Sequence, residues 1–310
     1  MNIRRVAITG ATGPLGIALI NYYIASGVAV TAIVHPSSHR LGHLHATHGL
    51  DVVPCDLASL AVLGSLLPTD YDAFFHLGWI GTDNRATRND PTTHARNILY
   101  TLDAVNLAHN LGCSVFIGAG SHIEKVGISS DLPVESEETY GIAKYAAGRL
   151  SLKLCEQLSI RHCWGRVLSI YGPGDRATTA LMYCIGTLLK GDSPSLTSGE
   201  QLWDYLYVDD CAAAFALMAV HGRHGASYDI CSGESRPLRE FFVMARDAID
   251  PSLTLGLGDI LYPQGQPMNL FGDIGPLRAD TGFTPKIAFD EGIRETIRWL
   301  VTGQGESTGD

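Results

Sequence analysis

The chain has 310 residues, 45% hydrophobic and 17% charged, enough to bury a sizeable core in one large domain or two lobes. A net charge of −10, with 22 lysines and arginines and no dense basic run, argues against a nucleic-acid surface built on phosphate neutralisation. The longest strongly apolar run, Cys211 to Val220, is too short to span a bilayer, and no charged, apolar leader precedes the first strand, so neither membrane nor export is expected. The seven cysteines form no C-x-x-C pair, which points to a reduced, cytoplasmic setting.

Val6 to Ala18, VAITGATGPLGIA, reads as strand, tight turn and helix. Gly10 lets the backbone leave the strand sharply, Gly13 clears the place where a pyrophosphate would approach, and Gly16 lets the helix pack near the strand. Amides at the helix start would face the phosphates, where the dipole favours negative charge. Further strands are expected at Val28 to Val34, Asp51 to Pro54, Ala73 to Leu77, Cys113 to Gly118 and Arg161 to Ile170. Helices are expected at Leu57 to Leu67, Thr92 to Asn110 and Thr139 to Leu158. This alternation implies an α/β fold with a doubly wound parallel Rossmann sheet, ligands lying at the carboxyl ends of the strands. After Tyr171-Gly172-Pro173-Gly174 the pattern loosens into a smaller lobe over the cofactor. The expected domains are 1–171, with 203–231 rejoining the main sheet through strands at Trp203 to Val208 and Tyr228 to Cys231, and a substrate lobe of 172–202 and 232–310. The tail from Gly303 reads as frayed.

The residues after the second strand bear on the cofactor. A site for the non-phosphorylated dinucleotide usually places an acid about 20 residues past the glycine turn to grip the ribose. Here the first acidic residue is Asp51, and the strand ends in Val34-His35-Pro36-Ser37-Ser38-His39-Arg40. Two hydroxyls and a guanidinium suit the 2′-phosphate of NADP, with NAD as the alternative. His35, His39, His43, His45 and His48 match no closed zinc pattern, so no metal is expected.

Chemistry is expected at Ser121 and at Tyr140-Gly141-Ile142-Ala143-Lys144, which puts a phenol and an ammonium one turn apart on one helical face. The ammonium favours the phenolate and lowers the phenol's pKa, so that Tyr140 can exchange a proton with a sugar hydroxyl or ketone. Ser121, at the carboxyl end of the fifth strand, can bond the same oxygen.

Together these motifs resemble the extended short-chain dehydrogenase/reductases, specifically the nucleotide-sugar epimerase/dehydratase family, over nearly the whole chain. Thr9 to Gly16, with Thr12, Pro14 and Leu15 beside the glycines, is similar to the family's cofactor turn; Cys55-Asp56-Leu57 resembles its adenine contact. His76-Leu77-Gly78-Trp79 is similar to the segment under the ribose and nicotinamide, and Asn97 to a helical Asn near the cofactor. Ser121, Tyr140 and Lys144 match the catalytic residues, Lys144 also holding the nicotinamide ribose by that resemblance. Arg166-Val167-Leu168-Ser169-Ile170-Tyr171-Gly172-Pro173 resembles the sixth-strand motif, Val167 lying against the cofactor. Asp204-Tyr205-Leu206-Tyr207-Val208-Asp209-Asp210 resembles R-D-Y-x-x-V-x-D, with Trp203 at the phosphate-binding Arg. Arg278 or Arg176 is a candidate replacement, and Ser169 stands where Asn is common. In family dehydratases the hydroxyl residue is followed by Asp-Glu; here His122 and Ile123 follow Ser121, and Ile123 has no transferable proton.

The resemblance implies an NADP-dependent 4-ketoreductase acting on a nucleotide-diphosphate sugar in deoxysugar synthesis, its substrate meeting Trp79, Ser121, His122, Ser169, Arg176, Trp203, Tyr205 and Arg278. A 4-epimerase is the alternative within enzymes, and a non-catalytic dinucleotide sensor the alternative of another class. A homodimer through the helices at Thr92 to Asn110 and Thr139 to Leu158 is also implied.

Overall fold

The computed structural model describes residues 2–82, 85–125, 138–262 and 268–302, so the tail from Gly303 lies outside the described residues. The strands are β1 (Arg5–Thr9), β2 (Ala29–Val34), β3 (Leu50–Pro54), β4 (Ala73–His76), β5 (Val115–Ser121), β6 (Arg161–Val167), β7 (Ser169–Tyr171), β8 (Ser195–Leu196), β9 (Leu202–Trp203), β10 (Tyr205–Tyr207), β11 (Ala226–Ile230), β12 (Arg236–Pro237) and β13 (Gly256–Leu257). The helices are α1 (Pro14–Ala25), α2 (Leu60–Leu63), α3 (Arg85–Arg88), α4 (Pro91–Asn110), α5 (Thr139–Gln157), α6 (Ala180–Leu188), α7 (Val208–His221), α8 (Leu238–Ile249), α9 (Gly275–Thr281) and α10 (Phe289–Val301). Two compact units result: Met1–Val167 with Ala212–Ile230 and Ile274–Phe283, and Leu168–Cys211 with Cys231–Asp273 and Thr284–Asp310.

The first unit is a doubly wound α/β domain of Rossmann type. Seven parallel strands stand in the order β11-β6-β5-β4-β1-β2-β3, reversing direction of growth between β1 and β4. That reversal opens a crevice at the carboxyl ends of the two strands. β4 is buried along its whole length and β1 after its first residue, as parallel strands flanked by helices must be, which explains their continuous apolar sequences. On one face Phe74, Phe116, His162 and Trp164 form a ladder of rings, successive centroids 6.0, 5.9 and 6.0 Å apart and nearly coplanar in orientation. α4 starts where Asp90 accepts hydrogen bonds from the Thr92 and Thr93 amides and Pro91 takes the first helical position.

The second unit is built from three two-stranded pairings, β10-β7, β12-β9 and β13-β8, and from α6, α8 and α10. Its core includes Tyr205, Phe241 and Phe289, with Tyr205–Phe241 at 5.1 Å and Phe241–Phe289 at 4.7 Å between centroids. Two buried carboxylates tie its loops: Asp204 accepts the Ser232 and Gly233 amides, and Asp210 those of Lys286 and Ile287. Burial raises the Asp204 carboxyl above the usual range, and the amide bonds oppose that shift.

Four expectations change. The run Arg161 to Ile170 is two strands, because β6 ends at Val167 and β7 pairs with β10 in the second unit. Trp203 to Val208 does not rejoin the main sheet: inward-turned Asp204 splits it into β9, paired with β12, and β10, paired with β7. Only Ala226–Ile230 joins the sheet, beside β6. The helix expected over Leu57 to Leu67 shrinks to a 3₁₀ turn at Leu57–Ser59 and the single turn of α2, which Gly64 closes. β5 also continues past Gly118 to Ser121, since its glycines stay paired with β6 and leave room for Trp164.

Candidate active site

The glycine turn sits at the β1/β4 crevice. Gly10 has φ +66°, and a Cβ there would lie 2.6 Å from the Gly78 amide nitrogen, so conformation and space both demand glycine. A Cβ on Gly16 would lie 2.7 Å from Ala11 Cα, which is how α1 packs onto the turn. Over Gly13 the space is open, the nearest atom to an added Cβ being the Gly10 carbonyl at 3.4 Å. α1 starts from Gly13 with Pro14 at its first position, no side-chain cap and no acid in its first turn, ahead of buried Leu15. An open cradle over an uncapped helix start fits a dinucleotide pyrophosphate.

Side chains around the cradle interlock. Thr12 Oγ1 lies 3.1 Å from Ser38 Oγ, tying the loop after β2 to the turn, and the Arg40 amide donates to Ser38 Oγ at 3.4 Å. The Ser37 amide donates to His35 Nδ1 at 3.1 Å, while His35 Nε2 is 3.0 Å from Asp56 Oδ2. Thus the acid missing from the sequence after β2 arrives in space from the end of β3, where Asp56 also caps the next turn by accepting the Ala58 amide at 2.8 Å. Leu57 packs over Gly78, and the Leu77 amide donates to the Thr9 carbonyl at 3.2 Å. Asn97 holds the next loop by accepting the Ile80 amide at 2.9 Å and donating to the Ile80 carbonyl at 2.8 Å.

Lys144 and Tyr140 share one face of α5 and meet Trp79. Lys144 Nζ donates to the Ala119 carbonyl at 2.7 Å and lies 3.9 Å over the Trp79 ring centroid and 5.9 Å from that of Tyr140. Burial pushes its pKa well below the ordinary lysine value, and the Glu124 carboxylate opposes that fall. The Tyr140 ring stands edge-on to Trp79 at 6.1 Å, and the Arg88 guanidinium covers it at 4.7 Å. His94 backs both rings: Trp79 Nε1 donates to His94 Nδ1 at 3.2 Å, and His94 Nε2 pairs with the Arg88 carbonyl at 2.8 Å. Ser121 ends β5 opposite Val167, and its Oγ accepts the Ile123 amide at 3.3 Å, which leaves the hydroxyl proton available to an incoming oxygen.

Sequence reasoning missed Glu124, Arg88 and His94. Glu124 had a local signal, because Ser121-His122-Ile123-Glu124 is the S-x-x-E capping box, and the Ser121 amide donates to Glu124 Oε1 at 2.8 Å. Arg88 and His94 had none, since their partners lie on other elements. His122, beside Ser121, has a buried Nδ1 without a hydrogen bond, and burial lowers its pKa. Among the other substrate candidates, Ser169, Arg176, Trp203 and Tyr205 belong to the second unit, where Ser169 pairs with Tyr205 in register and Trp203 lies 6.3 Å from the Tyr205 ring. Arg278 is exposed on α9 of the first unit. Among the described residues no group of His, Cys, Asp and Glu could hold a metal ion, and no helix is long and apolar enough to cross a membrane.

The family model of the NAD-dependent epimerase/dehydratase family matches residues 6–231. The chain belongs to this family. It is an NAD(P)-dependent enzyme of the extended short-chain dehydrogenase/reductase type, and at family level a nucleotide-sugar epimerase or reductase. It is 25% identical to a UDP-glucose 4-epimerase of Mycolicibacterium smegmatis over 96% of this chain and 98% of that one. It is 24% identical to a GDP-6-deoxy-D-mannose reductase of Pseudomonas aeruginosa over 95% of this chain and 96% of the other. The Bordetella bronchiseptica enzyme WbmF, solved in complex with NAD+ and UDP, shares the fold with a TM-score of 0.83 and 21% identity, over 99% of this chain and 94% of that one.

Proposed function

We propose that this family member is an NADP(H)-dependent 4-ketoreductase of a nucleotide-diphosphate sugar, working in deoxysugar synthesis. The observation that carries the cofactor choice is the Thr12–Ser38 bond, which holds the loop bearing Ser37, Ser38 and Arg40 against the glycine turn. Hydroxyls and a guanidinium there complement a ribose 2′-phosphate.

The dinucleotide, held by the turn from Gly10 to Gly16, by Asp56 and Leu57, by the segment Leu77 to Trp79 and by Lys144, supplies the hydride when bound. Tyr140 donates the proton to the sugar oxygen, the role its phenol fits beside a fixed ammonium. Ser121 orients and polarises that oxygen through its free hydroxyl proton. Lys144, pinned by Ala119 and Trp79, holds its ammonium beside the phenol, 5.9 Å from the Tyr140 ring centroid. Ile123 offers no proton where a dehydratase needs an acid, which supports reduction over dehydration.

A 4-epimerase with resident NAD is the second reading, favoured by the Asp56 carboxylate beside His35, where an acid suits an unphosphorylated ribose. Cytoplasmic location and homodimerisation belong to the proposal as well. The seven cysteines are unpaired and buried, and α4 and α5 expose Leu99, Ile142 and Leu150. The test of the reading uses NADPH deuterated at the transferable position and a nucleotide-linked 4-keto-6-deoxysugar. Deuterium at C4 of the product supports a reductase; a product without the label contradicts it.

A further inference from the structure

We propose that Glu124 is a positioning residue for this site: its carboxylate fixes the end of β5 by accepting the Ser121 amide and balances the charge of the buried Lys144 ammonium. The inference rests on the reading of Ser121, Tyr140 and Lys144 given above.

The carboxylate is 1% exposed. Its Oε1 accepts the Ser121 amide at 2.8 Å and Trp164 Nε1 at 3.0 Å, and its Oε2 accepts Arg166 Nε at 3.1 Å. Three donors from three separate residues hold the buried carboxylate in one place. The molecule is built to hold it there. Gly118, Gly120 and Gly148 form a slot for the Trp164 indole, where a Cβ on Gly148 would already lie 2.9 Å from the ring, and one on Gly120 would strike both the indole and Glu124 Oε1. A capping box on an exposed turn needs none of this apparatus, since water can satisfy its amides.

The charge matters because Lys144 is also buried. Around the two groups stand Arg166 from β6, paired with Glu124, and His122 and Lys125 from the same turn. Asp229 from β11 holds Lys125 at 2.7 Å, and buried His76 from β4 faces Lys144. Lys144 Nζ donates to the Ala119 carbonyl and Glu124 Oε1 accepts the Ser121 amide, so the two groups grip the same end of β5 two residues apart, and the Glu124 carboxylate opposes the loss of the Lys144 proton that burial favours.

The test compares Glu124→Gln with the unsubstituted chain, both shown to be folded by circular dichroism. Lysine labelled with ¹³C at Cε gives five resonances, and Lys144 is identified by its loss in Lys144→Met. In protein free of dinucleotide, Glu124→Gln is expected to lower the Lys144 titration midpoint by about one pH unit. In turnover, kcat is expected to fall about tenfold at pH 8, with the alkaline limb of the profile moved to lower pH and KM changed less than kcat. Glu124→Asp retains the charge and is expected to keep the Lys144 midpoint near that of the parent. An unchanged midpoint and limb in folded Glu124→Gln overturns the proposal, as does an equal shift in Glu124→Asp. Tyr140→Phe distinguishes the two levels: full turnover in that variant removes the site reading itself, whereas an inactive Tyr140→Phe beside an unshifted Glu124→Gln removes only Glu124.

Discussion

Lys144 Nζ stands 3.9 Å above the centre of the Trp79 indole, on the ring's negative face. The same nitrogen donates to the Ala119 carbonyl, two residues before Ser121, so one ammonium connects α5, the loop after β4 and the end of β5. Tyr140 is carried by the turn of α5 that precedes Lys144 and stands edge-on to the same indole. A cation fixed by two partners keeps its distance to the phenol without losing the side-chain entropy of a free lysine at each turnover.

Tyr140→Phe is expected to retain fold and dinucleotide binding and to lose at least ~10²-fold in kcat, the low end of what a positioned acid contributes. Ser121→Ala should cost less, because it removes one hydrogen bond and leaves the proton donor. Steady-state kinetics with a dinucleotide-binding titration separates the two effects; a Tyr140→Phe variant at the parent rate would take the phenol out of the chemistry.

Arg40→Ala should weaken NADPH far more than NADH, by roughly 1.5–3 kcal/mol for a charge-assisted bond to phosphate. Asp56→Asn should move the ratio the other way, since it removes a negative charge beside His35. Fluorescence titrations of both dinucleotides check this, and equal affinities in the parent chain would favour the NAD-dependent epimerase.

How much of this was legible follows from the range of the interactions. The glycine turn and the Tyr140–Lys144 spacing are local, and the repeating pattern of the elements is enough to imply a doubly wound sheet. The Asp56–His35 pair is not local: it follows from the register of β2 on β3, where Val34 meets Pro54 and the next residues emerge side by side. The break at Leu168 was hidden because Val167-Leu168-Ser169-Ile170 holds no glycine, proline or charge to interrupt a strand, and only the partner strand changes. Trp164 gave no functional signal, for its slot is assembled from glycines on β5 and α5.

Two histidines set an acid limit to stability. His76 lies between Thr9 and Thr101, and His162 bonds Ser151 within the ring ladder; burial drives both pKa values down to about 3. The unfolded chain protonates these rings near pH 6.5, so it binds more protons than the folded one below that pH. The stability they contribute is complete above pH 6.5 and is lost as pH falls toward 3, about 2 kcal/mol for each by pH 5. Urea melts at pH 7 and pH 5 measure the loss, and His162→Gln should flatten it by about half. A pH-independent midpoint over this range would show that the rings are not held neutral.

Reductase and epimerase share Ser121, Tyr140 and Lys144 and differ in the fate of the hydride. An epimerase returns it to the sugar it came from, whereas a reductase consumes one reduced dinucleotide per turnover and releases the oxidised form. The deciding measurement follows absorbance at the NADPH band while purified protein is given a nucleotide-linked 4-keto-6-deoxysugar, and separately a nucleotide hexose. A reductase gives loss of NADPH equal to the ketone consumed, a product with a new C4 hydroxyl and no change in the hexose. Interconversion of the hexose with its 4-epimer, with no added dinucleotide consumed, would contradict the assignment.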